Sequence, residues 1–222
     1  MSNFRTLSLL KAKVTGRSVQ DIFSSVYEHK RWGDHGTVSG GGSDLVQTTI
    51  IRVEIAKLIG ELRVRTMLDA PCGDYYWMKE MSMELDCYIG GDIVPALIAS
   101  NQSKYGNSKT TFAVIDIIKD DLPKVDLILC RDCLVHLPLQ ASVSAVKNFA
   151  RSGSKYLLCT TYPGAITKNS PLLITGNWRP IDLQLPPFSL SPPLRVINEG
   201  CTLKGDLKEK CLGLWDLTTA RF

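Results

Sequence analysis

The 222-residue sequence lacks several features that would place it quickly in a class of protein. No apolar run approaches the roughly 20 residues that a membrane-spanning helix needs. The net charge is only +4 and the basic residues are spread evenly, so we expect neither nucleic acid nor a membrane as the main partner. There is no internal repeat and no low-complexity segment, and nothing in the chain signals an oligomeric state.

The seven cysteines lack a regular spacing, and their number is odd. This usage is typical of reduced thiols. The first 17 residues have neither a long apolar core nor a small-residue cleavage site, so we expect a cytoplasmic protein. Cys130, Cys133 and His136 are spaced three apart, but no second C-x-x-C pair is present to complete a zinc site, and no other feature supports a redox pair. We therefore expect no metal.

What the chain does have is an alternation of apolar strand-like runs with amphipathic helical stretches through its middle third. This pattern is typical of an α/β domain with a parallel sheet and helices on both faces, and it predicts a Rossmann-like fold. The predicted strands are 65–70, 85–92, 110–116, 125–130 and 155–162, and the predicted helices between them are 74–81, 94–105 and 139–152.

The flanking segments complete a single predicted domain over 1–222, with its α/β core at 64–163. Residues 1–63 form a helical cap, with helices at 18–32 and 44–63 on either side of a glycine-rich stretch, and Ser43 is the expected N-cap of the second. Residues 164–222 follow with a proline-rich loop, in which seven prolines between 163 and 193 exclude a continuous helix. Two strand-like runs, 194–200 and 210–217, predict an antiparallel hairpin that makes the sheet seven-stranded.

Acidic residues stand at the ends of the first three predicted strands. They are Asp69, Asp92 and Asp116, and Asp92 lies 23 residues after Asp69. In an open α/β sheet ligands bind at the carboxyl ends of the strands, where a carboxylate about 20 residues after the first strand holds ribose hydroxyls. Helix capping would explain one such aspartate. Three in order predict a nucleoside site.

The turn after the first strand distinguishes between nucleoside ligands. It reads A-P-C-G-D, with one glycine and with Asp74 where a phosphate would lie, so it lacks the G-x-G-x-x-G of dinucleotide sites. This disfavours a nucleotide-binding oxidoreductase. S-adenosylmethionine fits better, because it has ribose and adenine without phosphate and carries cationic groups that tolerate nearby carboxylates.

The run LDAPCGD…GGDI…VIDI…DLILCRDCLVHL, within 65–162, resembles the core of class I S-adenosylmethionine-dependent methyltransferases. Three further stretches, WGDHGTVSGGGS, APCGDYYWM and GNWRPIDLQLPPF, are similar to a group of small methyltransferase-like proteins. The resemblance implies that the turn holds the methionine end, the second strand end the ribose and the third the adenine edge. The commoner family form has glycines where Ala70-Pro71 and Asp74 stand. The expected cofactor residues are Asp69, Pro71, Cys72, Gly73, Asp74, Trp77, Asp92, Ile93, Asp116, Ile117 and Arg131.

The resemblance also places the end of the fourth strand beside the transferring methyl group. Arg131, Asp132 and His136 are therefore the candidate catalytic residues. A histidine acts as a base near neutral pH, and Asp132 would orient it or take the proton itself. The alternative is that His136 only packs against the cleft.

The acceptor is expected to lie against the helical cap and the proline-rich loop, which supply Trp32, Trp178 and Arg179 as candidate contacts. An arginine there favours an anionic or hydroxyl-rich acceptor, and we expect O-methylation of a small molecule or glycan. The glycine run 39–43 would either cradle the cofactor carboxylate or act as a hinge. The alternative to a methyltransferase is a non-catalytic protein that binds S-adenosylmethionine.

Overall fold

A seven-stranded sheet forms the centre of the protein in a computed structural model, which describes residues 16–33, 36–171, 174–203 and 206–219. The strand order is β3-β2-β1-β4-β5-β7-β6, with β1 to β5 parallel and β7 antiparallel to both of its neighbours. The strands are β1 (Thr66–Asp69), β2 (Cys87–Asp92), β3 (Thr110–Val114), β4 (Leu127–Cys130), β5 (Tyr156–Thr161), β6 (Arg195–Asn198) and β7 (Cys211–Asp216). This confirms the predicted Rossmann-like fold and its terminal hairpin.

Helices cover both faces of the sheet, so the central strands are apolar on both sides. All four residues of β4 are buried, as expected for a strand with parallel neighbours and helices above and below. One core cluster contains Val146 and Phe149 from one face, and the other contains Ile55 and Leu58 from the opposite face. Within the described residues, the α-helices are α1 (Val19–Glu28), α2 (Thr49–Leu62), α3 (Pro95–Tyr105) and α4 (Leu139–Arg151).

Helix α1 closes over the carboxyl edge of the sheet. Ser18 caps it and exchanges hydrogen bonds with Asp21 in a capping box, which satisfies two otherwise free backbone N–H groups. The Gln20 side chain donates to the Ile93 carbonyl at 3.0 Å, just beyond the end of β2. The helix ends at Glu28, four residues earlier than predicted. Its position confines a cleft between itself and the strand ends.

Two predicted helical features are wrong. Residues 74–81 form a turn and a short 3-10 segment, Met78–Glu80, because Tyr75 adopts a left-handed φ of 59° that an α-helix does not admit. Helix α2 begins at Thr49, and Ser43 is not its N-cap. Residues Gly41–Ser43 instead form a separate 3-10 turn.

The proline-rich segment 163–193 contains no helix or strand among its described residues, which agrees with the sequence. It runs across the end of β5, where Tyr162 N–H donates to the Ile181 carbonyl at 2.8 Å. Within the described ranges, none of the helices is both long and apolar enough to cross a bilayer.

Candidate functional site

A cleft of about 380 Å³ opens at the carboxyl edge of the sheet, between the strand ends and helix α1. It brings together almost all the site residues predicted from the sequence. Those that line it are Trp32, Asp69, Pro71, Cys72, Gly73, Asp74, Trp77, Asp92, Ile93, Asp116, Ile117, Arg131, Asp132, His136 and Trp178.

The turn after β1 is held by hydrogen bonds to two neighbouring elements, β2 and α3. Cys72 N–H donates to the Gly91 carbonyl at 2.8 Å, and the Asn101 amide donates to the Gly73 carbonyl at 2.7 Å. Gly73 has a φ of 54°, and a Cβ there would collide with the Ser39 hydroxyl. Both the backbone shape and the close approach therefore favour glycine at this position. The turn is a fixed cradle beside the cleft.

Asp69 is the last residue of β1 and is only 3% exposed. Its carboxylate accepts a 2.6 Å hydrogen bond from the Tyr88 hydroxyl. Burial raises the pKa of Asp69 from 3.8 to about 7, against the lowering effect of that hydrogen bond. Burial makes the charged form of Asp69 unfavourable, so a carboxylate at this position in a cleft is a candidate for binding a cation or several hydroxyl donors.

Asp92 ends β2, next to β1 in the sheet, and is 8% exposed. It accepts the backbone N–H groups of Val94 at 3.0 Å and Gly73 at 3.3 Å. Burial raises the pKa of Asp92 to about 6, because these two bonds offset only part of the desolvation. Among the described residues, neither Asp69 nor Asp92 forms an ion pair.

This pair of carboxylates fits S-adenosylmethionine. A ribose diol offers two O–H donors to one carboxylate, and the ammonium and sulfonium groups supply the positive charge that these buried acids lack. A phosphate would be repelled by the same groups. On the third side of the cleft the Asp116 carboxylate accepts the Ile118 N–H at 2.9 Å, and Ile117 is buried beside it.

Asp74 lines the cleft, and its carboxylate is engaged within the chain. Its carboxylate accepts hydrogen bonds from the Thr37 hydroxyl at 2.9 Å, the Val38 N–H at 3.0 Å and the Ser39 hydroxyl at 3.4 Å. Because these three donors occupy the Asp74 carboxylate, Asp74 fastens residues 37–43, the glycine-rich segment, to the turn after β1. The other end of that segment is also held, because the Arg131 guanidinium donates to the Gly42 carbonyl at 2.7 Å.

Four charged residues form an ion cluster at one wall of the cleft, which we call the buried ion cluster because all but Asp132 are buried: Arg131, Asp132, Glu199 and Lys210. Arg131 pairs with Glu199 at 2.6 Å, and Lys210 pairs with Asp132 at 2.7 Å and with Glu199 at 3.2 Å. Although burial alone would raise it, the pKa of Asp132 falls to about 2 because Lys210 and Arg131 stabilise its charge. The sequence did not point to Glu199 or Lys210, since a charge beside a terminal strand is ordinarily solvated.

His136 lies at the end of a 3-10 turn that follows β4. Its Nδ1 is 2.9 Å from the Asn177 carbonyl, which accepts only, so Nδ1 carries the proton and Nε2 keeps a free lone pair. Burial lowers the pKa of His136 below its usual 6.5, so the ring is neutral at physiological pH. The Trp32 indole stacks on the ring, with centroids 5.0 Å apart. The geometry suits a base.

The structure corrects the placement of Arg179. Its side chain is not in the cleft but is buried, at 6% exposure, and donates to the Leu134 carbonyl at 3.3 Å and the Leu137 carbonyl at 3.0 Å. Burial lowers its pKa to about 10. Arg179 therefore fixes the turn that carries His136, and its neighbour Trp178 is the one that faces the cleft.

The spacing of Cys130, Cys133 and His136 does not produce a recognisable metal site. Cys130 is fully buried in β4 and the Nδ1 of His136 is engaged with a carbonyl. In the part of the chain that the structure describes, no group of three or more potential ligands is arranged to hold a metal ion.

Two solved structures align with most of the chain. Magnesium protoporphyrin IX methyltransferase from Synechocystis PCC 6803, with bound S-adenosylmethionine, has a TM-score of 0.57 at 15% identity, over 90% of this chain and 97% of that one. The N-methyltransferase NodS from Bradyrhizobium japonicum WM9, in complex with S-adenosyl-L-homocysteine, has a TM-score of 0.56 at 14% identity, over 85% of this chain and 95% of that one. No family model and no curated protein matches the sequence. The chain has the class I methyltransferase fold.

Proposed function

We propose that the protein is an S-adenosylmethionine-dependent methyltransferase. The observation that carries this proposal is the pair of buried carboxylates, Asp69 and Asp92, at adjacent strand ends around a one-glycine turn. Burial raises the pKa of both carboxyl groups, and a ligand that brings positive charge and hydroxyl donors, as this cofactor does, would stabilise their charged forms. The two similar structures, which hold S-adenosylmethionine and its product, support the same ligand.

The proposed binding mode follows the strand ends. Asp92 and Ile93 hold the ribose, Asp116 and Ile117 the adenine edge, and the turn at Asp69 and Gly73 the methionine end. Pro71, Cys72 and Trp77 wall this turn. Asp74 and Arg131 act indirectly by fixing the glycine-rich segment over it.

When bound, the cofactor supplies an electrophilic methyl group next to its sulfonium. The chain's own contribution is positioning, exclusion of water and removal of a proton. Helix α1 covers the cleft, and His136 Nε2 takes the proton from an acceptor hydroxyl. Asp132, on the same wall, stabilises the imidazolium that results. The acceptor is a hydroxyl group of a small molecule or glycan.

Calorimetric titration with S-adenosyl-L-homocysteine tests the cofactor assignment. Losing the Asp92 carboxylate should cost about 1.5–3 kcal/mol of binding, so Asp92→Ala should bind roughly 10- to 100-fold more weakly than wild type. Asp86→Ala is the control, because Asp86 is exposed at the opposite end of β2. NAD should not bind.

Two outcomes of this titration would overturn the proposal. One is equal affinity of Asp92→Ala and wild type for S-adenosyl-L-homocysteine, and the other is tight binding of NAD in place of S-adenosyl-L-homocysteine. A non-catalytic binding protein is the remaining alternative. It would show normal titrations but no methyl transfer to any acceptor.

A further inference from the structure

Beyond the proposed cofactor residues, part of the cleft lining comes from the segments around the ends of β4 and β7 and from the two indoles, and we call this part the acceptor end. It is lined by Trp32, Asp132, Cys133, His136, Trp178, Leu203 and Lys210. The inference below rests on the proposed function and concerns the chemistry of the acceptor.

Each charged or imidazole side chain of the acceptor end already has at least one partner within the chain. The Asp132 carboxylate accepts from Lys210 at 2.7 Å and lies 3.4 Å from Arg131. Lys210 is also bound to Glu199, and His136 Nδ1 donates to the Asn177 carbonyl. Among the described residues, His136 Nε2 has no hydrogen-bond partner. A ligand with many hydroxyl groups would leave most of them unpaired here.

The remaining walls of the acceptor end are apolar and aromatic. Trp178 and Leu203 are 38% and 36% exposed, which is high for large apolar side chains lining a cleft. The Trp32 indole is fixed between His136, at 5.0 Å, and Phe23, at 5.9 Å. Trp178 is braced edge-on by Tyr162 at 5.8 Å. Rigid indoles favour flat ligands, which bury area against them at little entropic cost.

We propose that the acceptor is a planar, largely apolar molecule with one acidic hydroxyl, a hydroxylated aromatic ring, and that it is not a glycan. Its ring lies among Trp32, Trp178 and Leu203, and its hydroxyl donates to His136 Nε2. The acidity matters because the base is weak: a phenol loses its proton near pH 10, whereas water, like an aliphatic hydroxyl, does so only near 15.7.

The reaction balances without a further reactant. A lone pair on the acceptor oxygen forms the bond to the methyl carbon while the carbon–sulfur bond breaks, and its electron pair remains on sulfur. The products are an aryl methyl ether and S-adenosyl-L-homocysteine. The hydroxyl proton passes to His136 Nε2 and then to water.

The test uses four probes with the full-length protein saturated in S-adenosylmethionine: 2-naphthol, decahydro-2-naphthol, 2-naphthylamine and methyl β-D-glucopyranoside. Formation of S-adenosyl-L-homocysteine above the acceptor-free rate is the readout. We expect 2-naphthol to react at least tenfold faster than each of the others. Equal or faster reaction of the saturated alcohol, the amine or the glucoside would overturn the proposal, as would no reaction of any probe.

Two variants examine the assigned roles. His136→Gln should lower the turnover of 2-naphthol at least about 100-fold and leave the affinity for S-adenosyl-L-homocysteine within twofold of wild type. In wild type the rate should fall as pH drops through the His136 pKa, and this fall should be absent in the variant. Trp178→Ala should raise the KM for 2-naphthol at least fivefold, and Trp178→Phe should restore it. An unchanged pH profile in His136→Gln would contradict the role of the base.

The titration with S-adenosyl-L-homocysteine separates this inference from the proposed function. Binding of S-adenosyl-L-homocysteine without methylation of 2-naphthol would refute the acceptor class alone. If S-adenosyl-L-homocysteine did not bind, the proposed function itself would be refuted.

Discussion

At the scale of single residues, Asp69 shows how the fold maintains an unfavourable charge. The folded state binds a proton at this site up to about pH 7, whereas the unfolded chain releases it near pH 4. Between these values the folded state binds more protons, so this residue lowers the unfolding free energy as pH rises from 4 to 7 and contributes no further change above that.

We therefore predict that Asp69→Asn is more stable than wild type at pH 8, by on the order of 2 kcal/mol, and that the difference shrinks towards pH 5. Thermal unfolding at both pH values measures this. Asp126→Asn is the control at the other end of β1, where the carboxylate accepts the N–H groups of Arg65 and Thr66 and its pKa is lowered. It should destabilise at pH 8. A variant Asp69→Asn that is less stable than wild type at pH 8 would contradict the assigned burial cost.

At the scale of elements, the sequence predicted the parallel strands and helices α3 and α4 to within a few residues. Continuous apolar runs such as 127–130 and the helical spacing of 139–151 are local patterns, so a single chain reveals them. The prediction of a helix at 74–81 was wrong. There the left-handed backbone of Tyr75 and the hydrogen bonds of Asp74 to the glycine-rich segment override the helical periodicity.

The candidate site divides in the same way. Strand-end aspartates were predictable because topology alone brings them together. The partners of Arg131 were not, because Glu199 is 68 residues away and meets it only through the β6–β7 hairpin. Arg179 was misplaced since an arginine in a loop is ordinarily solvated, whereas here its guanidinium satisfies two buried carbonyls.

At the scale of the whole molecule, the buried ion cluster ties the terminal hairpin to the end of β4 and to the segment before α2. Glu199 faces both Arg131 and Lys210, and its side chain is fully buried. Removing one partner of a buried pair leaves uncompensated charge, which costs about 3–5 kcal/mol.

Glu199→Gln should therefore lower the unfolding free energy by about 3–5 kcal/mol in denaturant titration. Glu61→Gln is the matched control, because Glu61 forms an exposed pair with Arg195 at 2.7 Å and should change stability by less than about 1 kcal/mol. If the two substitutions had equal effects, the cluster would not be the tie described.

The central claim is that the carboxyl edge of this sheet binds S-adenosylmethionine through Asp69 and Asp92, and a crystal structure with S-adenosyl-L-homocysteine tests it most directly. The account predicts both ribose hydroxyls within hydrogen-bond distance of the Asp92 carboxylate, the amino-acid end at the Gly73 turn, and the sulfur facing Asp132 and His136. S-adenosyl-L-homocysteine bound outside this cleft, or with its ribose turned away from Asp92, would contradict it.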